Sequence, residues 1–380
     1  MKARVWRWSR IRGILLTAGG LILGWALFRW PRAAAAGVSR GLAVCGQTLI
    51  PSLLPLLVLT DLFCRIGPVR PGRRAARITE KLFRLPAPCA LPLLLGAVGG
   101  YPAGAAALRT LTETGQIDGS TAKKALPFCV NAGPAFLIGT VGAGMLGSVY
   151  KGVVLYACHI AASLALGLLR RGDRITASGN NIPPIRKVTL SGGFSASVAA
   201  AVETLLGMCG FVLTFAALLS VSDASGLTDA LCAVLDYPFT RLESAFRLSP
   251  LWPALWEVSV GAAEVVHAPL SGPVTGLFLG AAAGWGGISV HCQIRGIWEE
   301  WGGVGTGFPS ARACHALLGG GLSWLAFSLL PIPTAPDRAA AVWSTAAGSG
   351  IQPVSVSAAA AGAMLALCGS FLWNIARFKA

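Results

Sequence analysis

Glu257 and Glu264 are carboxylates in sequence that otherwise belongs in a membrane. Both lie in the apolar stretch Leu251 to Val266, seven residues apart, a spacing that puts them on one face of a helix. An ionisable group at membrane depth is costly, and is kept either for a function or for an ion pair with a neighbouring helix. Glu257 could bind a cation or carry a proton. Glu264, beside His267, reads as interfacial. The remaining chemistry-bearing groups sit where glycine and proline interrupt apolar runs: Gly99, Gly100, Tyr101, Pro102 and Gly104; then Asn131, Gly133 and Pro134; then Gly286, Gly287, Ser289, His291 and Gln293.

Freed backbone N–H and C=O groups are tolerated at membrane depth only where they are buried in protein or line a wet cavity. Asn131 offers both donors and an acceptor. Gly133 and Pro134 loosen the chain before a new helix start, whose free N–H groups favour an anion. A kink with Asn131 bonding between helices is the structural alternative. Ser289, His291 and Gln293 alternate, which predicts extended or unwound backbone lining a cavity, or else polar groups at the membrane surface. His291 is a second candidate for handling a proton.

These residues need a membrane scaffold. The chain has 380 residues, 54% hydrophobic and only 12% charged, against about a quarter charged in soluble domains. Apolar runs near the ~20 residues of a spanning helix recur along it. They are Ile14 to Phe28, Leu42 to Phe63, Cys89 to Leu108, Leu126 to Leu146, Val149 to Leu169, Phe194 to Val221, Leu251 to Val266, Pro269 to Val290, Ala313 to Leu330 and Val354 to Ile375. The net charge of +16 is carried in short loops, as positively charged cytosolic loops require, so no nucleic-acid partner is expected. The ten cysteines show no C-x-x-C pair, and His291-Cys292 and Cys314-His315 lack a ligand spacing, so no metal is expected. No G-x-S-x-G, P-loop or H-E-x-x-H occurs; no enzyme activity and no cofactor are expected. The basic start followed by Ile14 to Phe28 reads as an uncleaved first helix.

Loop charge then orders the spans. Basic residues between Arg65 and Arg84, and again between Arg170 and Lys187, should both be cytosolic. That holds only if Cys89 to Leu108 is a re-entrant hairpin broken at Gly99-Gly100. In the second half, Leu251 to Val290 can enter and return from the outer side, again broken by glycines. The expected fold is therefore an all-α polytopic membrane protein: an inverted repeat of transmembrane helices with two re-entrant, glycine-broken helical hairpins. Gly99-Gly100-Tyr101-Pro102 aligns faintly with Gly286-Gly287-Ile288-Ser289. The expected organisation is an N-terminal segment and first helix (1–41), a first repeat (42–169), a cytosolic linker (170–192) and a second repeat (193–380).

Four motifs in order resemble a known group: PSLLPLLVLTDL from Pro51, GGYPAGAAAL from Gly99, FCVNAGPAFLIGTVGAGM from Phe128 and GWGGISVHCQ from Gly284. They resemble the sporulation integral membrane proteins of endospore-forming Firmicutes, within the wider nucleoside-recognition, or Gate, domain family, and most nearly the stage V dipicolinate transporter group. WEVSVG, at Trp256 to Gly261, fits the family's glutamate motif, whereas Pro331 to Gln352 departs from its pattern. The resemblance implies a secondary transporter of a small organic anion, dipicolinic acid, across the outer forespore membrane. It places substrate at the three glycine-rich motifs and ion or proton coupling at Glu257. A non-transporting protein of cortex assembly and a nucleoside-type transporter are the alternatives. The implied partners are a small anionic substrate and the lipid bilayer, with a homo-oligomer left open.

Overall fold

A computed structural model describes residues 2–66, 71–171, 190–241 and 246–330, and every regular element among them is helical. The centre of the expected linker, the segment from Pro331 to Gln352 and the last expected helix, Val354 to Ile375, lie outside the described residues.

Helix α1 (Lys2–Arg29) is followed by α2 (Pro31–Val44) and α3 (Ile50–Ile66), joined through a π turn at Cys45–Leu49. The wide turn falls just before Pro51, whose ring cannot pack under a carbonyl four residues back. Helix α4 (Arg73–Leu82) is amphipathic and lies 100° from the segment Ala87–Gly99, as a surface helix would before the chain turns inward. Helices α5 (Ala90–Gly99) and α6 (Tyr101–Glu113) then pack as a hairpin. The ten residues of α5 span about 15 Å, roughly half of a bilayer's hydrocarbon core. The hairpin therefore enters and returns, as its charged flanks require.

Next comes a helix broken in the middle. Helix α7 (Gly119–Cys129) gives way to extended chain at Val130, and a π-wound helix, Ala135–Met145, resumes after Pro134. Helix α8 (Val149–Leu169) crosses back. The second half repeats this order: long α9 (Leu190–Ala224), amphipathic α10 (Leu227–Arg241), the short hairpin α11 (Trp252–Trp256) and α12 (Val258–His267), the broken pair α13 (Gly272–Trp285) and α14 (Gly287–Ile297), and α15 (Phe308–Leu329).

This order corrects two sequence expectations. The second hairpin is confined to α11 and α12, with Glu257 at its tip, rather than extending from Leu251 to Val290. The glycines at 286 and 287 instead break a helix long enough to cross. By element order, Gly99-Gly100 therefore corresponds to Trp256-Glu257, and Asn131 to Pro134 corresponds to Gly286-Gly287. The faint alignment of Gly99-Gly100 with Gly286-Gly287 matched one kind of glycine break to another.

The two hairpins approach from opposite ends of α8. Phe83, leading into the first, packs against Gly167 near the end of α8. Phe246 and Leu248, leading into the second, share an apolar cluster with Leu146, Val154 and Leu155 at its start. Among the described residues, three helices are long and apolar enough to cross a membrane, Val149–Leu169, Ser191–Ala224 and Gly272–Ile297, or four if the bent pair at 73–99 counts as one. Breaks shorten the helices of the runs at 89–108, 126–146 and 251–266, whereas the runs at 14–28 and 313–330 lie in unbroken helices of 28 and 22 residues. The chain is an all-α polytopic membrane protein.

Candidate functional site

Each hairpin tip touches the helix break of its own half. Gly100 sits at the first tip with φ +85° and ψ −179°, a conformation essentially reserved for glycine. A Cβ on Gly133 would come within 3.0 Å of the Gly100 nitrogen. In the second half a Cβ on Gly287 would come within 2.8 Å of the Trp256 carbonyl and 3.1 Å of the Glu257 Cα. Side chains at either break would push the tip away.

Both tips and the first break line one cavity of about 630 Å³ between the hairpins and the long helices α2, α3 and α9, and the helix after the second break joins its wall through Val290 and Gln293. That is within the usual size of small-molecule sites, about 300–1,000 Å³. Its wall includes eight of the residues singled out from sequence: Gly99, Gly100, Tyr101, Pro102, Gly133, Pro134, Glu257 and Gln293. Leu53, Phe136, Met208 and Val212 make much of it apolar. The charged residues in its described lining are Arg40, Asp223, Glu257 and Glu264. Arg40, Asp223 and Glu264 are exposed, whereas Glu257 is only 3% exposed. The cavity thus has a charged rim and a single buried carboxylate. Glu264, expected to be merely interfacial, contributes to that rim.

Glu257 is not on a helical face but at the N-cap of α12, in extended conformation. Its Oε2 accepts hydrogen bonds from the backbone N–H groups of Ser259 and Val260, both at 2.8 Å. The helix start, carrying partial positive charge, compensates a carboxylate that has no cationic side chain bonded to it among the described residues.

The other six predicted residues shape the surroundings. Gly104 lets α6 pack on the Cys129 carbonyl. Asn131 is buried and turned back along its own chain, Nδ2 donating to Phe128 O at 3.1 Å, while Oδ1 has no partner among the described residues. Gly286, at φ +82°, lies against Tyr101. Ser289, His291 and Gln293 are helical rather than extended: in α14, Gln293 Nε2 donates to Ser289 Oγ one turn away at 3.0 Å. Their alternation therefore separates them. Gln293 lines the cavity, while His291 turns to the Trp285 ring, 4.2 Å between centroids.

Sequence reading passed over the network that joins the two breaks. Arg312, fully buried in α15, donates through Nη1 to Val130 O at 2.6 Å and through Nη2 to Ala283 O at 3.2 Å, and Nε approaches Trp285 O at 3.5 Å. Tyr101 Oη donates to the same Ala283 carbonyl at 2.8 Å, linking the first hairpin to the second break. Arg312 Nη1 also faces His315 Nδ1 at 3.0 Å, and His315 Nε2 lies 3.1 Å from His159 O. His159 Nε2 in turn accepts from Ala132 N–H at 3.0 Å, and the two imidazoles stack. As acceptors, both rings are in neutral tautomers. The available signal was an arginine and a histidine three residues apart at the start of an apolar run, on one helical face.

A second unforeseen cluster fixes the first hairpin to α3. Asp61, 7% exposed, pairs with Arg65 and accepts from Thr110 Oγ1 at 2.6 Å. Glu113 bonds Arg109 Nε at 2.9 Å and lies 3.4 Å from Arg65. Outside the spans, Asp118 caps α7, accepting from Thr121 N at 2.7 Å and Ser120 Oγ at 2.6 Å. Partial burial would raise its carboxyl, but these hydrogen bonds outweigh it and hold the group below its ordinary value.

No protein-family model matches the chain, and no solved structure matches it. It is similar to the sporulation integral membrane protein YlbJ of Bacillus subtilis (strain 168), 26% identical over 314 residues that cover 77% of this chain and 77% of that protein. The similarity supports a place among the sporulation membrane proteins. With its apolar helices, the chain is an integral membrane protein of a sporulating bacterium.

Proposed function

We propose that the chain is a secondary transporter that moves a small organic anion through the cavity between its hairpins, with dipicolinic acid at the outer forespore membrane as the leading candidate. One observation carries the reading: both hairpin tips and the first helix break line one cavity that holds a buried carboxylate, with the second break packed against the tip that bears it. A scaffold protein has no use for two interrupted helices and an enclosed charge at membrane depth, whereas a transporter binds its solute at such breaks.

The chemistry of the wall suits a flat, largely apolar solute with a carboxylate. Arg40 at the rim is held by Ser220 Oγ at 2.6 Å and offers its remaining donors to an incoming anion. The helix starts at Tyr101 and Ala135 lie in the cavity wall, and a helix N-terminus favours an anion. An anion can share the interior with Glu257 only when that carboxyl carries a proton, because two unscreened negative charges repel strongly there. The solute then moves together with a proton.

The excess of acids over bases in the wall favours a second reading, a neutral hydrogen-bonding solute such as a nucleoside. Uptake of labelled dipicolinate and of a labelled nucleoside into proteoliposomes decides between them. Saturable dipicolinate uptake supports the first reading, nucleoside uptake alone supports the second, and uptake of neither by inserted, folded protein removes both.

A further inference from the structure

Two helix C-termini converge on one buried cation. Helix α7 ends at Cys129 and helix α13 at Trp285, each at the break of its own half. Both ends turn carbonyls to this cation, one from Val130, the extended residue just beyond α7, and the others from the last turn of α13. Val130 O and Ala283 O accept from the Arg312 guanidinium, and Trp285 O lies 3.5 Å from its Nε. Arg312 is 0% exposed and forms no ion pair with a carboxylate among the described residues. An isolated guanidinium at this depth is costly. Its compensation is the pair of C-termini, each equivalent to about half a negative charge, which together match about one positive charge.

Half-helix C-termini and unwound carbonyls in broken-helix carriers are where a coupling cation is coordinated. Here the position is filled by the protein itself. The guanidinium is planar, permanently charged and built to satisfy several carbonyls at once. It is anchored on α15 and held further by His315 Nδ1. We propose that Arg312 is a tethered substitute for a coupling metal cation: its guanidinium permanently occupies the point where the two C-termini meet, so solute movement is independent of sodium. The inference rests on the transporter reading and leaves the proton on Glu257 as the mobile coupling charge.

The test uses the full chain, purified in detergent and reconstituted in liposomes, in sodium chloride and in N-methylglucamine chloride at equal ionic strength. The wild type should unfold at the same temperature, and take up solute at the same rate, in both salts. Arg312→Ala should unfold at lower temperature in N-methylglucamine and recover as millimolar guanidinium or sodium is added, while the wild type stays flat. Arg312→Lys, which keeps a tethered cation, should remain indifferent to sodium. A wild type that needs sodium for stability or uptake overturns the proposal. So does an Arg312→Ala deficit that no added cation restores. If the alanine variant does not accumulate, the wild-type and lysine measurements decide. Absence of any solute uptake removes the transporter reading, whereas the unfolding temperatures judge cation replacement separately.

Discussion

Replacing Glu257 by glutamine separates the role of its charge from the role of its cap. The carboxylate sits at the N-cap of α12 and takes two backbone N–H groups at 2.8 Å. Glutamine keeps an acceptor oxygen in nearly the same place and loses only the attraction between charge and helix start, about 0.3–1 kcal/mol. Removing a buried charge offsets part of that loss. Glu257→Gln should therefore insert and fold with stability within about 1 kcal/mol of wild type, whereas Glu257→Ala gives up the whole cap, about 1 kcal/mol with a range to 2. Transport should respond quite differently. One pH unit is worth about 1.4 kcal/mol per coupled proton, or about tenfold in accumulation. A monovalent anion moving alone against 100 mV faces about 2.3 kcal/mol, roughly fiftyfold. In proteoliposomes with an imposed gradient of one pH unit and the potential clamped, the wild type should concentrate dipicolinate about tenfold, and Glu257→Gln should not concentrate it. Dipicolinate accumulation that survives in Glu257→Gln would refute proton coupling at this residue and leave it as a helix cap. Simultaneous loss of expression and of transport would point to a structural role instead.

Four further outcomes test the frame around the cavity. Gly100→Ala meets no close atom but is forced into a backbone region almost exclusive to glycine, so it should cost about 1–3 kcal/mol and weaken solute uptake, read by thermal unfolding and flux. Asn131→Ala should abolish uptake while the protein stays inserted and folded, because the unpartnered Oδ1 at the break contributes little to stability; loss of expression would assign it to packing. Asp118→Ala should lower stability by about 1 kcal/mol at neutral pH. Because the folded carboxyl lies below its ordinary value, that difference should be full above about pH 4 and shrink as pH falls through the folded value, as denaturation at several pH values would show. Ser120→Cys and Ser271→Cys, both exposed, should react with an impermeant thiol reagent from opposite sides of oriented vesicles, against the parental labelling; reaction from one side would sink the inverted arrangement. The loop after α14 returns to the Ser120 side, where Lys123 lies 3.4 Å from Gly302 O, so a cysteine in that loop should label together with Ser120→Cys.

Apolar run length and glycine-proline breaks made the membrane class and the location of the interruptions readable, since both follow from one-dimensional chemistry. The first hairpin was readable for a further reason: the basic loops at 65–84 and 170–187 must share a side, which allowed only an even number of crossings between them. The second was misplaced because Gly286-Gly287 looks like Gly99-Gly100 in sequence. The actual tip, Trp256-Glu257, contains no glycine, and its turn is stabilised by the glutamate side chain instead. A break made by a side-chain cap leaves no glycine signature. The same limit applied to Ser289, His291 and Gln293, whose alternation is equally compatible with a strand-like segment and with an i, i+4 pair plus an outlier on a helix.

Arg312 was hidden for a different reason. A cation in an apolar run near its end is ordinarily read as a residue reaching for the membrane surface. What makes this one buried is an arrangement absent from the local sequence: two helices, ending 156 residues apart at Cys129 and Trp285, direct their C-termini to one point. Neither C-terminus could be left bare in lipid, because orphan carbonyls at membrane depth must be satisfied by protein or water. The guanidinium and the interrupted helices thus require one another, the cation needing two dipoles and the dipoles needing a cation. The joint also ties the halves together, since α15 belongs to the second repeat while Val130 belongs to the first. A movement that separates the two breaks must then strip Arg312 of one set of carbonyls. The cavity is therefore expected to change shape by rearrangement of the hairpin tips around a fixed pair of breaks, with Glu257, which is on a tip, as the charge that moves.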